Sequence, residues 1–264
     1  MRDFLNSLLN SEPSPRVHFT ADSIKAKPVQ GHPAAQESIQ SYNAVANLMR
    51  AALLECGPPA FAEATAAHPC FTQACVAAHE DLHAFLSKDP AQHGSPIATL
   101  FGSTSYKATL HYRLAHALMT CAKLDAAARH ELEACAWLVS HRGKLLSGAE
   151  IHPGCDIGQR FILDHGWGTV IGETSVIGND CYLLGGVTLG ATGIANNTSM
   201  KRHPTLGDRV QIGAFSRIFG DIHIGDDVFV GAHCTVTQSI MPNSTVTLRS
   251  KMQIIRTRAS STPT

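Results

Sequence analysis

At 264 residues the chain is long enough to bury a core without staples and has room for two domains. Lys plus Arg balances Asp plus Glu at 21 each and only 16 % of residues are charged, which excludes a global field drawing in nucleic acid or a membrane surface. Eight cysteines show no CxxC pair and no zinc-like spacing, and no run of about 18 apolar residues occurs, so reduced thiols, a cytoplasmic location and no metal are expected.

Residues 1–36 are rich in Ser, Pro and Lys without a sustained period and read as a flexible N-terminal segment. Residues 37–143 read as a helical domain. Ile39, Val45, Leu48, Met49, Ala52 and Leu53 fall at helical spacing, and Gly57-Pro58-Pro59 breaks the pattern before an Ala-rich stretch that Asp89-Pro90 ends. A third stretch, Tyr106 to about Leu138, favours helix, with Leu110, Leu114, Ala117 and Leu118 on one side.

After Gly143 the period changes to six. Ile151, Ile157 and Leu163 are followed, after a two-residue slip, by Ile171, Ile177, Leu183 and Leu189. Leu206, Ile212, Ile218, Ile224, Val230 and Val236 resume the series. Such hexads predict a triangular solenoid over residues 144–242, each unit giving one short strand and one corner and three units closing a coil. The fold class expected is α+β, a helical domain followed by a left-handed parallel β-helix. The polar stretch Ala191 to Thr205 is too long for a corner and predicts a protruding loop, while residues 243–264 form a C-terminal tail.

Proton abstraction from a substrate needs a base, a group that orients it and a pocket for the substrate's charges. Glu150 and His165 lie nearly one coil apart, so the solenoid can bring carboxylate and imidazole onto neighbouring coils. Spacing alone leaves His165 a candidate among many histidines.

The runs Asp164-His165-Gly166, Val170 to Gly178, Val187 to Gly193 and Arg202-His203-Pro204 resemble the signature of the serine O-acetyltransferases, hexapeptide-repeat acyltransferases with a helical N-terminal domain. The resemblance covers roughly Asp89 to Pro242. It implies that acetyl-CoA, a co-substrate rather than a tightly bound cofactor, gives its acetyl group to the hydroxyl of L-serine, with His165 as general base oriented by Glu150. Asp89 and Asp164 would hold the ammonium of serine, and Arg202 and His203 its carboxylate. Gly190, Ala191, Gly213, Ala214 and Ala232 would line the acetyl-CoA groove between subunits of a trimer or a dimer of trimers. The family usually has Asp where this chain has Glu150, which keeps open transfer to another small amino alcohol or to an amino sugar. The family's C-terminal Ile, which inserts into O-acetylserine sulfhydrylase, is replaced by Thr264, so a complex with that enzyme is not expected.

Overall fold

The computed structural model describes residues 33–92, 95–124, 126, 128–194 and 200–249. The expected flexible segment, apart from its last residues, and the tail beyond Arg249 lie outside the described residues.

Among the described residues six α-helices come first: α1 (Pro33–Cys56), α2 (Pro59–Ala67), α3 (Pro69–Lys88), α4 (Pro96–Gly102), α5 (Thr104–Leu124) and α6 (Arg129–Ser147). Proline opens α2, α3 and α4 at a position where a missing N–H costs nothing. The Asp89-Pro90 stop ends α3 as read from sequence. The stretch read as one helix from Tyr106 to Leu138 is instead two helices packed side by side, and α6 continues to Ser147, where Gly148 caps it at φ 72°. Met49, Leu53, Leu82, Leu100, Leu110, Leu114 and Leu118 fill the core between these helices.

Fourteen short strands follow, Glu150–Ile151 (β1) to Thr245–Val246 (β14), all pairing in parallel. They form three sheets: A holds β1, β4, β7, β10 and β13; B holds β2, β5, β8 and β11; C holds β3, β6, β9, β12 and β14. The chain visits A, B and C in turn, which is the triangular prism the hexads predict. In most strands one side chain points out and the next points in, so Ile151, Ile171, Leu189, Ile218 and Val236 form one continuous interior ladder. Burying each such aliphatic contributes about 1.5–3 kcal/mol, which makes the ladder the main source of the solenoid's stability. The regular coil is seen in the pairings Val170↔Thr188 and Arg217↔Thr235, whereas Thr188↔Arg217 absorbs the stretch after β7, of which residues 195–199 lie outside the described residues.

Helix α5 docks the helical part on the first coil. Ala108 and Tyr112 join the solenoid's core, and Tyr112 Oη donates to Cys155 O at 2.8 Å. Arg113 is buried and forks onto Asp81 of α3 at 2.7 and 3.0 Å, while its remaining donors reach Ile157 O and Gly158 O. Asp81 in turn accepts from Phe161 N at 2.9 Å. Along the edge between sheets B and C, Arg160, Asp180, Arg209 and Asp227 occupy successive corners, each with φ near +57°. Arg160 grips Asp180 and Arg209 grips Asp227 through paired bonds of 2.6–2.7 Å.

Candidate active site

The two-residue slip between Leu163 and Ile171 is the corner that carries Asp164 and His165. His165 (φ 60°), Gly166 (φ 66°) and Gly168 (φ 75°) all take left-handed backbone, and Gly166 N and Trp167 N close tight turns on Asp164 O and His165 O. This lifts the imidazole off the prism, leaving it 83 % exposed with Nε2 4.0 Å from Asp164 Oδ2. Asp164 is itself sheltered, and its Oδ2 accepts from Tyr182 Oη at 2.9 Å. Burial and the adjacent Asp164 push the Tyr182 phenol well above its ordinary value, so it stays a donor to that carboxylate.

Asp89 caps the end of α3, with Oδ1 accepting from Ala91 N at 2.9 Å. Asp89, Asp164 and His165 line one cleft of about 420 Å³ between the helices and the first coil, together with Phe85, Ser103 and Ser105. Two carboxylates flanking an imidazole in one cleft suit an ammonium-bearing acceptor whose proton is to be removed.

Glu150 points outward from β1 and pairs with Lys144 in the last turn of α6. No hydrogen bond or ion pair joins it to His165 among the described residues; the carboxylate that faces the imidazole is Asp164.

Arg202 and His203 precede β8, at the edge between sheets A and B. Arg202 pairs with Glu173 one coil earlier, and that bond holds the Glu173 carboxyl below its usual range. His203 is buried; its Nδ1 accepts the Thr174 amide at 3.1 Å and meets Thr174 Oγ1 at 2.9 Å. With Nδ1 so occupied, the neutral ring carries its proton on Nε2. Burial, then the Arg202 charge, lower the pKa of His203, so it is neutral at pH 7. Gly172 is required here, because a Cβ at that position would overlap the His203 ring.

Asp89, Asp164 and His165 are thus brought together, and Arg202 with His203 form a second group on another edge of the same prism. The expected groove residues divide the same way: Gly190 ends β7 and Ala191 follows it toward the A–B edge, while Gly213, Ala214 and Ala232 follow strands of sheet C at the edge that carries His165. Gly213 packs where a Cβ would come within 2.5 Å of Ala232 N. Sequence reasoning missed Tyr182, Lys144, Glu173 and Thr174. For Tyr182 a signal existed once the two-residue slip is counted, since it stands one coil on from Ile162, which is two residues before Asp164.

The family model for bacterial transferase hexapeptides (six repeats) matches residues 203–238. The serine acetyltransferase of Helicobacter pylori is 40 % identical over 165 residues, covering 62 % of this chain and 88 % of that enzyme. That of Synechococcus elongatus is 37 % identical over 166 residues, 63 % of each protein, so the match spans under two thirds of this relative. The Neisseria gonorrhoeae serine acetyltransferase solved in complex with serine superimposes with a TM-score of 0.62 at 28 % identity, covering 79 % of this chain and 83 % of that one.

Proposed function

The chain belongs to the serine acetyltransferases, and from that premise we propose that it transfers the acetyl group of acetyl-CoA to the hydroxyl of L-serine, giving O-acetylserine for cysteine synthesis. The observation that carries the reading is the single cleft shared by Asp89, Asp164 and His165. The two carboxylates hold the ammonium of serine and place its hydroxyl beside the imidazole. His165 takes the hydroxyl proton as the oxygen attacks the thioester carbonyl. The tetrahedral intermediate collapses, the C–S bond breaks, and the imidazolium returns the proton to the departing CoA thiolate. No acyl-enzyme forms.

Arg202 and His203 bind the serine carboxylate from a neighbouring subunit. The two groups sit on different edges of one prism, and rotation about a threefold axis brings one edge of each subunit against another edge of the next. The same contact closes the acetyl-CoA groove from Gly190 and Ala191 on one side and Gly213, Ala214 and Ala232 on the other. Trimers of this left-handed solenoid pair through their helices into hexamers. The chain works in the cytoplasm, as its free thiols suggest. Among the described residues no helix is long and apolar enough to cross a membrane.

Glu150 favours one second reading, transfer to another small amino alcohol or an amino sugar, because Lys144 holds the carboxylate expected to orient His165. Release of CoA thiol from acetyl-CoA with serine, homoserine, threonine and glucosamine separates the two. Serine is expected to be the preferred acceptor, and His165→Ala is expected to lower its turnover by about 10²- to 10⁴-fold. Serine inert beside an active alternative acceptor would overturn the assignment of substrate.

A further inference from the structure

Far from the cleft, His68, Cys70 and Cys121 converge. His68 is the residue before α3, Cys70 lies in the first turn of α3, and Cys121 in the last turn of α5. One ligand atom from each lies within 4.8 Å of the others, and Cys121 Sγ stands 3.7 Å from His68 Nδ1. In tetrahedral zinc sites, bonds of about 2.3 Å to sulfur and about 2.1 Å to nitrogen place neighbouring ligand atoms about 3.5–3.8 Å apart, so a small closing movement suffices. Nothing in the reaction uses these residues.

The geometry points to a zinc(II) site formed by His68, Cys70 and Cys121, with water completing the tetrahedron on the exposed His68 side. Two thiolates and an imidazole are a borderline-soft set that favours zinc over magnesium or calcium, whose ligands are oxygens. Three features fit this assignment. Both sulfurs are buried, so the ion is shielded, while exposed His68 leaves an entry path. Cys70 and Cys121 come from different helices, α3 and α5, so the ligand set bridges two elements rather than one local turn. His68 Nδ1 now meets the Cys70 amide at a long 3.2 Å and Cys121 Sγ at 3.7 Å, contacts that the ion replaces. Each bound ion displaces the two thiol protons to solvent, with no redox change.

The consequence is a tether. Zinc pins the start of α3 to the end of α5, and α3 is the helix whose far end delivers Asp89 to the cleft.

The test is metal analysis of the full-length oligomer after incubation with zinc and dialysis against a weak chelator, for wild type and the His68→Gln, Cys121→Ser and Cys56→Ser variants. One zinc per chain is expected in wild type and Cys56→Ser, with loss from the other two. Cobalt substitution should give a thiolate charge-transfer band in wild type only among the wild type, His68→Gln and Cys121→Ser proteins. His68→Gln changes an exposed side chain, so it reports on the site even where Cys121→Ser does not fold. Zinc content unchanged by His68→Gln, no retained zinc in wild type, or a Cys70–Cys121 disulfide in place of metal uptake would each overturn the assignment.

Discussion

Tyr182 shows how much of the acceptor pocket depends on single hydrogen bonds. Its phenol satisfies Asp164 from the coil above, fixing the carboxylate that faces both the cleft and His165. Tyr182→Phe removes that donor from a charged acceptor, a change of about 1.5–3 kcal/mol, so KM for serine should rise about tenfold or more while kcat falls less; steady-state kinetics against serine check this. Gly172→Ala should displace His203 and likewise raise KM for serine, with KM for acetyl-CoA less affected. The family resemblance, rather than spacing, pointed to His165, Asp164 and Asp89, and the cleft that all three line is what the structure adds. The Lys144–Glu150 pair was not legible in the sequence: Gly148 marks the end of α6, but which side chain of its last turn meets β1 depends on how the helix packs on the first coil.

Between elements, the junction of α5 with the first coil carries the buried Asp81–Arg113 pair, to which the backbone of Ile157 and Phe161 adds hydrogen bonds. Asp81→Asn leaves the Arg113 charge uncompensated and should cost about 3–5 kcal/mol, read as a drop in the denaturant midpoint. Acid should also loosen the helices. Burial lowers the pKa of His111, whose Nδ1 lies 2.7 Å from Lys107 O, and of His116. The neutral ring is favoured in the folded state and the unfolded chain binds more protons. Stability is therefore full above the unfolded value near 6.5 and is lost as pH falls below it. Thermal melts from pH 8 to pH 5 should show a decline that is shallower for His111→Gln. The hexad series made the solenoid readable because each inward aliphatic is a separate vote for one period. The α5–α6 reversal was not readable: Leu124, Ala126 and Ala128 are residues that favour helix, so packing rather than local propensity turns the chain there.

For the whole molecule, the proposed division of the site between two edges would make activity a property of the assembly. Inactive His165→Ala subunits mixed with inactive Arg202→Ala/His203→Ala subunits, unfolded and reassembled together, should regain about a quarter of wild-type turnover, since one contact in four joins two intact halves in a random mixture. No recovery would place each site within one subunit. The alternating corners Arg160, Asp180, Arg209 and Asp227 impose a different restriction, one of parity. Deleting the coil of Asp180 would set arginine against arginine, and copying it would set aspartate against aspartate. Removal of the adjacent coils carrying Asp180 and Arg209 returns opposite charges to contact. Along this edge the solenoid is therefore free to grow or shrink by pairs of coils, so its length changes most readily in even steps.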